Sequence, residues 1–136
     1  MMITILFQLT LLLWFLGCTV SYRTHRFILV DGVGVKSAEF FMLIVYAIAL
    51  VLFHAFSWGR WVLLGVLAAW LIVQFFCHWR YTIFGASEKK LRGYNECFRG
   101  TLRIFKASET RLVPDLYHIV LHALIIVNIV LCIING

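Results

Sequence analysis

Residues 38–80 read AEFFMLIVYAIALVLFHAFSWGRWVLLGVLAAWLIVQFFCHWR, and this stretch decides the class of fold. It consists of two apolar runs, Ala38–Ser57 and Trp61–Arg80, joined by the tripeptide Trp58–Arg60. A helix that crosses a bilayer needs about 20 mostly apolar residues, so each run predicts one membrane span. Because the connection between them is so short, the two spans are expected to form an antiparallel helical hairpin.

Two further stretches, Met2–Val20 and Leu116–Asn135, are equally apolar and carry no charged residue. The whole chain of 136 residues is 63% hydrophobic and only 13% charged, whereas soluble domains are about 25% charged. This composition excludes an ordinary soluble domain and a disordered chain. We therefore predict an all-α integral membrane protein, a single domain over residues 1–136 with four transmembrane helices in an antiparallel bundle.

The positions of the basic residues predict the orientation in the membrane. Of the twelve lysines and arginines, only Arg60 lies in the short connection between spans two and three. The other eleven lie in, or directly beside, the two long connections 21–37 and 81–115. Because basic loops stay in the cytoplasm, both termini are expected outside and the protein in the cell membrane. The net charge of +6 is then a topology signal, and no nucleic-acid partner is expected.

The second long connection contains a predicted amphipathic helix, Ser87–Lys106. Ser87 can cap its N-terminus, and apolar residues recur every three or four positions, at Leu91, Tyr94, Phe98, Leu102 and Phe105. Basic residues occupy the rest of its surface, namely Lys89, Arg92, Arg99, Arg103 and Lys106. We expect this helix to lie at the membrane surface, with its stripe in the acyl boundary. It would bind anionic lipid headgroups or a partner helix, unless its charges only follow the topology rule.

Polar residues in the last two spans occur at matching depths. Counted from the ends of the spans that face the long connection, Gln74 lies as deep as His122, and His78 lies as deep as His118. The two residues on each span are four apart, so they share one helix face. Antiparallel packing of these faces predicts a polar ladder with two rungs, Gln74–His122 and His78–His118.

Asp115 extends the same face of the fourth span and makes a metal site conceivable. Two imidazoles and a carboxylate suit zinc or iron, so we consider Asp115, His118, His122 and His78 as ligands. A haem held by His122 and His78 is a further alternative. A proton relay without a metal uses the same residues. The simplest alternative is structural: His78, His118 and Asp115 are interfacial, and His122 only pairs with Gln74.

A second pair of polar residues at matching depth involves spans one and four. Gln8 and Asn128 both lie twelve residues from the ends of their spans. A hydrogen bond between the two amides would place span one against span four and would contribute roughly 0.6–2 kcal/mol. The same amides could instead pair between two subunits of an oligomer.

The sequence contains no catalytic motif, so catalytic residues and enzyme activity stay open. The first functional hypothesis is a membrane component, a homo-oligomer or a subunit of a larger membrane complex, which includes an ion or proton path. The second is a membrane metalloprotein or metalloenzyme that uses the Asp/His cluster. The third is a module that binds anionic lipids or anchors a partner through the basic helix.

Overall fold

The computed structural model describes residues 2–135 and contains four helices long and apolar enough to cross a membrane. This finding confirms the prediction of a mostly helical chain with four candidate membrane spans. The first and fourth helices have the predicted bounds, whereas the second ends two residues earlier and the third is longer at both ends. The four spans are α1 Met2–Val20, α2 Ala38–Ala55, the composite span Gly59–Phe84 and α6 Leu116–Asn135.

The third span changes its helical geometry near the loop that follows it. It begins as α3, Gly59–Gln74, continues as a π-helical turn, Phe75–Trp79, and ends as α4, Arg80–Phe84. A π-turn is wider than an α-turn and is frequent at functional sites. Because of this wider turn, Gln74 and Trp79, which are five residues apart, both reach the same side of the span. This geometry shapes the polar site described below.

The four spans pack in a closed ring, in which α1 contacts α2 and α6, and the third span contacts α2 and α6. The inside of the ring is filled by apolar side chains, among them Leu11, Leu63, Leu67, Leu121 and Ile125. Tyr117 of α6 also ties α1 to this core. Its hydroxyl donates to the carbonyl of Trp14 over 2.6 Å, and the Trp14 indole donates to the carbonyl of Tyr117 over 3.1 Å.

The hairpin between spans two and three depends on a glycine. A Cβ atom added to Gly59 would lie 1.9 Å from the carbonyl oxygen of Leu52. No other residue fits so close to the preceding helix, which explains how only three residues outside α2 and α3 suffice for the turn. We call this end of the protein the hairpin end.

The two long connections meet at the opposite end, which we call the loop end. In the first, β1 (Tyr22–Arg23) pairs with β2 (Ile28–Val30) in an antiparallel sheet of two strands. In the second, the amide of Leu102 donates to the carbonyl of Ile28 over 2.9 Å. The two connections therefore lie on the same side of the spans, as the alternation of four spans requires. Which side of a membrane this is stays a prediction.

The amphipathic helix is shorter than predicted and its stripe contacts protein. The helix α5 spans Glu88–Cys97, with Ser87 accepting a hydrogen bond from the amide of Lys90 as a cap. The predicted second half, up to Lys106, is not helical, since Gly100 adopts a positive φ of 80°. Leu91 and Tyr94 of the stripe are buried against a small cluster with Leu112. Of the five stripe residues, only Leu102 and Phe105 are exposed, and both lie beyond the end of α5.

Candidate functional site

Five polar residues of the last two spans are buried together at the loop end. Each of them is at most 7% exposed: Gln74, His78, Asp115, His118 and His122. Polar side chains at such positions need partners, because an unpaired polar group inside a membrane protein costs free energy. The partners that they find determine which chemistry remains available.

Asp115 and His118 form the best-defined pair. Asp115 directly precedes α6, and its Oδ1 accepts a hydrogen bond from the backbone amide of His118 over 3.0 Å. The same oxygen lies 2.6 Å from Nδ1 of the His118 ring. The carboxylate thus caps the helix and accepts the ring proton at Nδ1. In the neutral imidazole this leaves Nε2 of His118 as a free acceptor.

The carboxyl group of Asp115 is stabilised as an anion. Burial alone would raise its pKa, but the hydrogen bonds from the side chain and the backbone of His118, together with the charge of this imidazole, lower the pKa below its ordinary value. Its second oxygen, Oδ2, is buried and has no hydrogen-bond partner. Asp115 therefore stays available to compensate a positive charge on His118.

His78 lies beside His118 and is covered by α5. The two ring centroids are 4.3 Å apart. Nδ1 of His78 is 2.7 Å from the hydroxyl of Tyr94, and burial raises the pKa of this hydroxyl. Phe98 closes the cluster, with its ring 5.0 Å from that of His118. Tyr94 of α5 and Phe98, which directly follows this helix, therefore cover the two imidazoles, so this part of the stripe packs against protein.

His122 has a partner at each of its ring nitrogens. The indole of Trp79 donates to Nδ1 over 2.7 Å, and Oε1 of Gln74 lies 3.0 Å from Nε2. An indole can only donate, so Nδ1 is the acceptor and Nε2 carries the proton that Gln74 accepts. The π-turn makes this double contact, since it aims Gln74 and Trp79 at the same imidazole.

The ladder predicted from depth therefore corresponds to contacts in the structure, with two additions from tertiary packing. Gln74 pairs with His122 and His78 lies beside His118, and Trp79 and Tyr94 complete the two rungs. Trp79 follows His78 in sequence and lies on the neighbouring face of a regular α-helix, so only the π-turn reveals its role. The sequence identified Tyr94 only as one member of the apolar stripe of the amphipathic helix, and not as a partner of His78.

The predicted metal ligands come close together without forming a metal site. Within residues 2–135, no group of three or more histidine, cysteine, aspartate or glutamate side chains is arranged to hold a metal ion. Hydrogen bonds occupy both nitrogens of His122 and Nδ1 of His118 and of His78. Among the predicted ligands, Nε2 of His78, Nε2 of His118 and Oδ2 of Asp115 are left, but they are not arranged around a common position for an ion. The geometry thus gives little support to zinc, iron or haem.

The amide pair predicted between α1 and α6 is not formed. Gln8 and Asn128 are both buried, but Oε1 of Gln8 lies 2.9 Å from Nε2 of His54. The amide nitrogen of Asn128 donates to the carbonyls of Phe7 and of Leu124. Backbone carbonyls and His54 are nearer partners than the opposite amide, which sequence depth alone does not reveal. The two amides still mark the contact between α1 and α6.

The basic residues of the second connection lie at the surface. Lys89, Arg92, Arg99 and Lys106 are exposed, and Arg103 is half-buried and donates to Oδ1 of Asn95 over 3.1 Å. Lys89 and the neighbouring Lys90 also line a cavity under α5, together with His78 and His118. The polar cluster therefore has access to a space in which another molecule could meet it.

Comparison with models of known protein families, with curated proteins and with solved structures finds no match to this chain.

Proposed function

We propose that the protein is a membrane component that exchanges protons at its loop end through Asp115 and His118. The observation that carries this proposal is the hydrogen bond of 2.6 Å between Asp115 and Nδ1 of His118, which leaves Nε2 of His118 as a free acceptor beside the cavity. A carboxylate that holds an imidazole in this tautomer stabilises the imidazolium form and is the arrangement that proteins use for proton acceptors.

Neighbouring groups provide a short route for a proton. His78 lies next to His118, with ring centroids 4.3 Å apart, and contacts the hydroxyl of Tyr94. The ammonium group of Lys90 is also near His78. Imidazoles and a hydroxyl can each donate and accept, so a proton taken up at His118 can be shared with this group. His122 does not extend the route, since Trp79 and Gln74 engage both of its nitrogens.

The positions of the polar groups favour proton exchange on one side of the membrane over a proton path across the membrane. On α6, the buried residues between His122 and Asn128 are the apolar Leu124 and Ile125. The pair of Gln8 and His54 lies on the far side of this apolar layer. We therefore interpret the cluster as an acid–base site that opens toward the loop end, within an antiparallel four-helix bundle that acts as an oligomer or as part of a larger membrane complex.

Nitrogen-15 NMR of histidine-labelled protein in bilayers tests the proposal. We expect His118 to show the Nδ1–H tautomer and His122 the Nε2–H tautomer near neutral pH. The nitrogen of His118 that remains free to take up a proton is then Nε2, because Asp115 engages Nδ1. An Nε2–H tautomer at His118 would contradict the proposal. Metal content measured on the same sample tests the metalloprotein alternative.

The orientation can be tested with native cysteines. Cys97 is exposed at the end of α5, while Cys18 and Cys132 are buried. With Cys77 replaced by alanine, a maleimide that cannot cross membranes should label Cys97 only after the cells are permeabilised. A Ser57→Cys variant that lacks both Cys77 and Cys97 is the control and should be labelled from outside. Labelling of Cys97 in intact cells would place the basic connections outside and would overturn the predicted topology.

A further inference from the structure

A cavity of about 880 Å³ lies at the loop end between the third span, the start of α2 and α5. A volume of this size is in the range of small-molecule sites, and the proton-exchange site occupies only one of its walls. The charges and the depth of its lining residues indicate what fills it.

The deep wall of the cavity belongs to the third span and is apolar apart from Gln74. It is formed by Trp70, Val73 and Cys77, which lie on successive turns and cover roughly 10 Å along the helix axis. Val73 and Cys77 are exposed on a helix that is long and apolar enough to span a membrane. In a bilayer, this side of the cavity is therefore open to acyl chains.

The mouth of the cavity is lined by charged residues. Lys89 and Lys90 project from the first turn of α5, and Glu39 from the first turn of α2. Asp31 is also at the mouth, but its carboxylate pairs with Arg23. Because that pair is neutral as a whole, the two lysines outnumber the one remaining acid, Glu39. The mouth thus favours an anionic group near the depth of lipid headgroups.

Between the mouth and the apolar wall lie the imidazoles of His78 and His118. With Nδ1 bonded to Asp115, Nε2 of neutral His118 accepts a hydrogen bond and does not donate one. A ligand should therefore place a donor, such as a hydroxyl group, at this depth.

We propose that this cavity holds one phospholipid of the surrounding bilayer, with an anionic headgroup that carries hydroxyl groups, as in phosphatidylglycerol. Its phosphate lies at Lys89 and Lys90, a headgroup hydroxyl faces His118, and one acyl chain follows the wall from Cys77 to Trp70. Phosphatidylcholine fits less well, because it is zwitterionic and has no hydrogen-bond donor. The lipid site does not require His118 to exchange protons, so either proposal can fail without the other.

Quenching of Trp70 fluorescence by brominated acyl chains tests this site. The full-length protein is reconstituted into phosphatidylcholine vesicles that contain a few per cent of brominated phosphatidylglycerol or, in a parallel sample, of brominated phosphatidylcholine. We expect stronger quenching by phosphatidylglycerol, and we expect the difference to disappear in Trp70→Phe. Equal quenching by the two lipids, or a difference that persists in Trp70→Phe, would overturn the proposal.

A matched pair of charge variants separates the cavity from general attraction to the surface. The double variant Lys89→Gln/Lys90→Gln should weaken phosphatidylglycerol binding by about fivefold for each lysine. Arg92→Gln/Arg99→Gln removes the same charge from exposed residues of the same region that do not line the cavity, and it should have a much smaller effect. An equal effect of the two double variants would show a surface interaction and would contradict a site in the cavity.

Discussion

Replacing His122 by leucine is expected to destabilise the protein by about 2–6 kcal/mol. The substitution leaves the indole N–H of Trp79 and the side-chain oxygen of Gln74 without the partner that they share. Each buried group that loses its partner costs about 1–3 kcal/mol, and apolar surroundings offer no water to replace it. The free energy of unfolding in lipid bicelles, measured by steric trapping, gives the size of the effect.

His122→Gln is the matched control. A glutamine amide can accept from Trp79 and donate to Gln74, so this variant should lose less than half as much stability as His122→Leu. Equal stabilities of the two variants would show that neither hydrogen bond matters for the fold. A protein with a metal at His122 would instead lose its metal in both variants, and this outcome is visible in the metal content.

Replacing Asp115 by alanine should have the second large effect. Asp115 caps α6, and loss of a cap costs about 0.5–2 kcal/mol. The ring N–H of His118 would also lose its acceptor in a buried site, at about 1–3 kcal/mol. We expect a total loss of about 1.5–5 kcal/mol by the same unfolding measurement. A loss below 0.5 kcal/mol would show that water replaces the carboxylate and that the site is open.

Asp115→Asn separates the cap from the charge. Asparagine caps helices as well as aspartate does, so this variant should keep most of the stability near neutral pH. Because the pKa of Asp115 is lower in the folded protein than its ordinary value of 3.8, its stabilising contribution is complete above this ordinary value. It is lost as the pH falls through the lower folded pKa. The wild type should therefore lose this contribution in acid, whereas Asp115→Asn should lack this part of the pH dependence.

The sequence alone was sufficient to predict the four candidate spans and the depth of the polar residues within them. Apolar run length reports how far a helix can cross a bilayer, and the constant rise per residue converts position into depth. This is why Gln74 and His122 could be paired before any contact was known. The shared side of the two long connections also followed from the alternation of four spans, and the hydrogen bond between Leu102 and Ile28 joins the two connections.

Tertiary structure determined the rotation of each helix about its axis and the hydrogen-bond partner of each polar atom. The depth of a residue does not fix the rotation of its helix, and Gln8 therefore hydrogen-bonds to His54 and not to Asn128. The π-turn brought Trp79 to His122, and the burial of Leu91 and Tyr94 made α5 a lid over His78. These contacts join residues far apart in the chain, and they depend on packing between elements, which helical periodicity within one element cannot specify. The sequence therefore determined the depth of each polar residue, and tertiary packing determined which of these residues contact one another in the site.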